Sequence, residues 1–414
     1  MRAVASTDSA PAIDDDVPAA WRALRIAVVT ETYPPDVNGV AFTVARAVDG
    51  LRRRRHRVQL VRLKQDRWEA ASDAPADEIR VPGLPIPGHR GLQMGLPCTR
   101  TLAAAWSREP PDIVHIATEG PLGWSALRAA RRLGLPVVSD FRTNFHTYSA
   151  HYGVGWLGGP IGAYLRHFHN RTLCTMVPTE ALARELRRLG YERVGVVARG
   201  VDTQRFMPTR RSEALRREWG AGPDTRVLLC VSRLAPEKNL GLVCDAYKRV
   251  AAQGCDVRLV IVGDGPARAD LEARCPNALF AGMQHGDELA AHYASADLFV
   301  FPSLTETYGN VVPEALASGL PVVAYDCAAA AELVRHGVQG LLAPVADAGA
   351  FVQCAADTLA DASSFDAMRK AARTTALALD WEPVIDRLEA TLLQHARAAP
   401  LDTRPLRELA LFDA

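Results

Sequence analysis

Two carboxylates, two cations and a set of glycines fall where strands should give way to helices, and these residue types suit a phosphorylated sugar. In residues 303–323, S-L-T-E-T-Y-G-N-V-V-P-E-A-L-A-S-G-L-P-V-V, a polar loop carries Glu306, Gly309 and Asn310. It follows an apolar run at 296–301 that reads as a buried strand. Pro313 and Glu314 come next, where the first turn of a helix should lie, because the N–H that proline lacks has no partner there. Gly319 closes that helix and a second apolar run begins at 320. Backbone amides in such a loop face a ligand, and the dipole of the following helix favours an anion. Carboxylates at the same place suit hydroxyls, so the mixture predicts a sugar or ribose held beside a phosphate. The plainer alternative is that Glu314 complements the helix dipole and Glu306 is a solvated loop residue.

A second cluster lies in C-V-S-R-L-A-P-E-K-N, residues 230–239, where a strand runs into a helix. Arg233 and Lys238 converging at the carboxyl end of a sheet suit a diphosphate, the arginine as a two-pronged donor and the lysine as a point charge. Their alternative is a solvated loop with Glu237 as an ion-pair partner. V-G-D-G-P at 262–266 has Gly263 and Gly265 but Arg268 where a G-x-G-x-x-G fingerprint needs its third glycine. It reads as a tight turn that brings Gly263 near the nucleotide base, not as a dinucleotide site. Near the N-terminus, Asn38-Gly39 precedes a helical pattern at about 41–55, and Gly39 allows close backbone approach to a ligand. After the run at 136–140 comes D-F-R-T-N-F-H-T-Y-S-A-H-Y-G, whose Arg142, Asn144, His146, Tyr148, His151 and Tyr152 are candidates to line a cleft for a sugar or an acceptor. His115 and Glu119 are similarly placed. His146 and His151 have no third ligand at a recognisable spacing, so no metal site is expected.

What must position these groups is an alternation of short apolar runs and helices. It covers 25 to 198, pauses in the polar loop 199–211, and restarts from 226 to 324; residues 347–397 read as helices. That pattern predicts an α/β chain of two doubly wound parallel sheets with ligands at the carboxyl ends of their strands, facing a central cleft. The 414 residues suffice for two domains. We place a disordered tail at 1–22, one domain at 23–205, a second at 206–380 and a helical segment at 381–414. Residues 1–205 carry 28 Lys and Arg against 20 Asp and Glu, and the remainder 20 against 27, so one half should face something anionic. Arg52, Arg53, Arg54, Arg55 and Arg57 end the first helix, and Arg128, Arg131 and Arg132 lie on another. With Leu92, Met94 and Leu96 they suggest an anionic membrane surface and a lipid acceptor, against the alternative that they only offset helix dipoles and aid solubility. The eight cysteines show no C-x-x-C and sit in apolar runs, as free thiols do in a reducing compartment. Residues 1–20 lack the apolar core of a signal peptide and no run of 18 apolar residues exists, so a cytoplasmic protein is expected, peripheral at most on the membrane.

The motifs at 303–323, 230–239 and 262–266, with the opening T-E-T-Y-P-P-D-V-N-G-V, resemble the retaining glycosyltransferases of family 4, over roughly residues 24–395. The resemblance implies the GT-B fold and a nucleotide diphosphate sugar as co-substrate, with no bound metal and no other cofactor. It puts Glu306 on the donor sugar, Glu314 on the ribose, and Arg233 and Lys238 on the diphosphate, with the Gly39 backbone nearby. Gly263, Gly309 and Asn310 complete the donor side. Where the family often has F-H-T, this chain has Phe141-Arg142-Thr143 with His146 beyond, so the resemblance leaves the sugar contact between Arg142 and His146. It looks most like bacterial enzymes that mannosylate lipid or glycan acceptors from GDP-mannose. A UDP-hexose donor, an epimerase of the same fold and a non-catalytic sugar-nucleotide binder are the other readings, and no nucleic acid partner is expected.

Overall fold

The computed structural model describes residues 23–36, 38–65, 75–85, 93–142, 158–360 and 362–396. The expected tail and the last residues of the expected C-terminal segment lie outside them. The first sheet contains β1 (Arg25–Val29), β2 (Arg57–Leu63), β3 (Glu78–Val81), β6 (Ile113–Ile116), β7 (Val137–Asp140), β8 (Thr175–Val177) and β9 (Val194–Val196). A short antiparallel hairpin, β4 (Gly83–Pro85) and β5 (Gln93–Gly95), stands apart from it. The second sheet contains β10 (Arg226–Val231), β11 (Val257–Val262), β12 (Leu279–Gly282), β13 (Leu298–Phe301), β14 (Val322–Tyr325) and β15 (Gly340–Ala343). Their orders are β3-β2-β1-β6-β7-β8-β9 and β12-β11-β10-β13-β14-β15, with parallel pairing throughout. Each order reverses once, beside β1 and beside β10, and the crevice at such a reversal is where parallel sheets receive ligands.

Helices cover both faces, which is why the strands read as continuous apolar runs. In β10, Val227, Leu229 and Val231 enter one core while Leu228 and Cys230 enter the other, as a period of two requires. β3 and β15 were not expected from the sequence. β3 is an edge strand whose Glu78 pairs with Arg80 and Arg62 at 2.6 and 2.7 Å, so it carries charge where inner strands carry valine. The chain passes from the first sheet to the second near Val201 and returns near Leu379, where Val201 N donates to Leu379 O at 2.9 Å. The last described helix, Trp381–Ala396, then packs on the first sheet. Trp381, Ile385, Leu388 and Leu392, spaced to share one helical face, join Leu24, Ile26, Val44 and Leu51 in a single core. Gly50 leaves room for this: a Cβ there would lie 2.7 Å from Ile385 Cγ1.

Candidate active site

A cavity of about 770 Å³ lies between the carboxyl ends of the two sheets. From the second sheet it is lined by Arg233, Lys238, Gly263, Glu306, Gly309, Asn310 and Glu314; from the first half come Gly39, Arg142 and Arg199. The donor-side candidates and Arg142 therefore meet the same space, whereas His115 and Glu119 are not among its lining residues, and His146, Asn144, Tyr148, His151 and Tyr152 lie outside the described residues. β10 delivers Arg233 and β13 delivers the Glu306 loop, so the two motifs flank the reversal in strand order that the fold builds beside β10.

Charges in this wall are paired across the loops. Lys238, on a short 3₁₀ turn over Pro236–Lys238, reaches Glu306 Oε1 with its Nζ at 2.5 Å, and Ser303 Oγ donates to the same oxygen at 2.8 Å. Arg233 pairs with Glu237, as the plainer sequence reading had it, yet the arginine side chain is 43% exposed while Glu237 is fully buried. The buried carboxylate anchors a guanidinium that still opens to the cleft. Glu314 starts from the helix Val311–Ala317 and its Oε2 accepts from Tyr293 Oη at 3.0 Å. Burial raises the Glu314 pKa to about 7, against the lowering effect of that hydrogen bond. The carboxylate is thus half ionised near neutrality and gains from any hydroxyl donors a ligand brings.

The glycines serve close approach. Gly309 has φ +90° and a Cβ there would sit 3.3 Å from Glu306 Cγ. Gly263 has φ +128° and a Cβ would lie 1.9 Å from Ser232 O, so the turns after β10 and β11 touch only because it is glycine. Across the cleft, the helix Gly39–Arg53 begins under an Asn38 cap, whose Oδ1 accepts from Ala41 N at 2.8 Å. Asn310 Nδ2 stands 3.5 Å from Gly39 O, bringing the two halves together at this edge.

The first-sheet wall is a buried polar cluster. Asp140 accepts from Arg142 through Nε at 2.8 Å and through Nη2, and pairs with His115 Nε2 at 3.0 Å. Burial works against its ionisation, but Arg142 and His115 outweigh this and hold the carboxyl well below the usual range. Arg142 is therefore tied back to the sheet while lining the cleft. Glu119 behaves oppositely: burial pushes its pKa up to about 8. Glu31, also raised by burial, accepts from Leu122 N at 2.9 Å and Gly95 N at 3.2 Å, pinning the β4–β5 hairpin to this edge of the sheet. Among the described residues no three His, Cys, Asp or Glu are grouped to hold a metal ion. Sequence reasoning missed Arg199, Tyr293 and Tyr308. The arginine had a signal, a lone cation ending the apolar run 194–198; the tyrosines sat in patterns that read as helix and loop.

Two family models match the chain, Glycosyltransferase Family 4 over residues 37–205 and Glycosyl transferases group 1 over 225–361. A GDP-mannose-dependent alpha-mannosyltransferase of Mycobacterium tuberculosis is 39% identical over 88% of this chain and 95% of its own length. A GDP-mannose-dependent alpha-(1-6)-phosphatidylinositol monomannoside mannosyltransferase of the same species is 28% identical over 84% of this chain and 92% of its own. Among solved structures, the sucrose-phosphate synthase of Thermosynechococcus elongatus superposes with a TM-score of 0.73 at 19% identity, covering 89% of this chain and 98% of its own, which shows the shared GT-B fold. The chain belongs to the family 4 glycosyltransferases, and it is a glycosyltransferase enzyme.

Proposed function

We propose that this enzyme transfers mannose from GDP-mannose, with retention of configuration, to a lipid or glycan acceptor. The observation that carries the reading is the single cavity in which Arg233, Lys238, Glu306 and Glu314 converge at a reversal of strand order. The two mannosyltransferase relatives, both GDP-mannose-dependent, suggest the donor, and the phosphatidylinositol monomannoside mannosyltransferase suggests a lipid acceptor. Residues 206–380 would hold the nucleotide sugar and residues 23–205 the acceptor. Arg233, Lys238 and the helix N-terminus at Asn310 stabilise the departing diphosphate, Glu306 takes sugar hydroxyls and Glu314 the ribose. The bond from the sugar carbon to the phosphate oxygen breaks and the acceptor oxygen bonds on the same face; the acceptor's proton passes to the phosphate oxygen. Cations and amides do what a metal would do elsewhere, and closure of the cleft excludes water.

The hairpin supports a membrane-bound acceptor. Leu84, Met94 and Leu96 are 51%, 38% and 37% exposed at the acceptor-side edge of the first sheet. Leu92 lies outside the described residues. No helix among the described residues is long and apolar enough to cross a membrane. Incubation with GDP-mannose, UDP-glucose and UDP-N-acetylglucosamine, with release of nucleoside diphosphate measured with and without chelator, tests the reading. Turnover of GDP-mannose that survives chelator is expected. Preference for a UDP-sugar would replace the donor, and binding without turnover of any sugar would overturn the proposed transfer.

A further inference from the structure

Arg199 stands at the end of the run V-G-V-V-A-R-G, just beyond β9, where the chain leaves the first sheet. The residue is 8% exposed and lines the cleft. Its carbonyl accepts from Tyr308 Oη at 3.5 Å, which fastens it to the loop of Glu306 and Asn310. Its guanidinium makes no hydrogen bond or ion pair among the described residues, although it has five N–H donors. The carboxylate that could answer it, Asp140, already takes two bonds from Arg142 and one from His115. Glu119 is largely protonated at neutral pH. Two guanidiniums thus share one ionised carboxylate, and burial together with Arg142 drives the Arg199 pKa down to about 9. A buried cation without acceptors is costly, and the fork of an arginine matches the oxygens of a phosphate.

We infer that Arg199 is an oxyanion-binding residue, which holds a phosphate-type group in the cleft opposite Arg233 and Lys238. The inference rests on the nucleotide-sugar reading of the cleft, and the oxyanion has two sources: the donor's diphosphate, or an anionic group carried by the acceptor. In either case the ligand supplies the acceptors that the protein withholds.

The full-length chain and its Arg199→Gln and Arg199→Lys variants decide this by calorimetric titration in two arms. The first titrates GDP; the second titrates inorganic phosphate into protein already saturated with GDP. Arg199→Gln is expected to weaken one arm at least about tenfold, with Arg199→Lys closer to wild type. Loss in the first arm assigns the diphosphate, and loss in the second assigns the acceptor's anion. Because the guanidinium has no hydrogen-bond or ion-pair partner among the described residues to lose, the unliganded Arg199→Gln protein should melt no lower than wild type. Both arms unchanged within about twofold in Arg199→Gln would overturn the inference, as would a lower melting temperature of that variant with both affinities intact. Should Arg199→Gln fail to fold, Arg199→Met, which also removes the charge and keeps a long side chain, carries the same two readouts. A wild-type protein that binds UDP and not GDP fails the donor reading alone; the arms are then run with UDP.

Discussion

Lys238 and Glu306, to which the proposed reaction gives separate tasks, one at phosphate and one at sugar, are paired with each other. Lys238→Ala and Arg233→Ala should each lower kcat/KM about a hundredfold, equivalent to about 3 kcal/mol of transition-state stabilisation. Wild-type turnover in both would remove the diphosphate assignment. Glu306→Gln should impair transfer and leave the affinity for GDP nearly unchanged, because its expected contacts are with the sugar; an equal loss of GDP affinity would move it off the sugar. Glu314 carries a pH signature. Its folded pKa of about 7 lies above the unfolded value of 4.5, so between these the native state keeps a proton that the unfolded chain has released. Its contribution is full below pH 4.5 and falls away as pH rises to about 7. Glu314→Gln should flatten the decline in the denaturation midpoint over that window. GDP affinity, in contrast, should rise as the wild-type carboxylate ionises, and an unchanged profile in the variant would refute the ribose contact. These four residues were legible because loop chemistry at a strand end is local. Arg142 was legible as a cleft residue but not as a partner of Asp140, and Arg199 was hidden because its meaning lies in the lack of a side-chain partner among the described residues, which only three dimensions display.

Elements buried on both faces announced themselves as apolar runs, and so did the margin strands β9 and β12, whereas the margin strands β3 and β15 did not. β15 opens on Gly340, and β3 alternates charged Glu78 and Arg80 with Ile79 and Val81, so neither carries the continuous apolar run that marked β10 and β11. The helix Trp381–Ala396 was foreseen as a helix, but its docking on the far domain was not, since a helical period states which face is apolar and not what it covers. Ile385, 1% exposed, fills the space left by Gly50. Ile385→Ala should cost about 2–5 kcal/mol, read as a lower denaturant midpoint. If the midpoint stays within error of wild type, the helix is not part of that core. Nucleotide affinity measured well below the transition should remain, because the helix reaches no donor residue.

For the whole molecule, the basic first half and acidic second half find part of their explanation inside the fold. Arg53 and Arg54 meet Glu382 at 3.1 and 2.8 Å, Arg54 also meets Asp386 at 2.5 Å and Glu389 at 3.1 Å, and Arg52 meets Asp77 at 2.6 Å. Three of the arginines that suggested an anionic leaflet are thus engaged with the chain's own carboxylates. The proposed membrane contact accordingly shifts to the hairpin. Leu84→Ser with Met94→Ser should reduce co-sedimentation with phosphatidylglycerol vesicles more than Arg52→Glu does, and absence of wild-type binding at low salt would point to a soluble acceptor. The returning helix also sets a timetable for synthesis. About 180 residues separate Gly200, the end of the first domain's own strands, from Trp381. At 5–20 residues per second the ribosome needs about 10–35 s to bridge them. Through that interval Leu24, Ile26 and Leu51 wait with one side of their core uncovered, while the second domain is free to fold on its own. The half made first is therefore finished last, and its nascent chain is the form of this enzyme most in need of a chaperone.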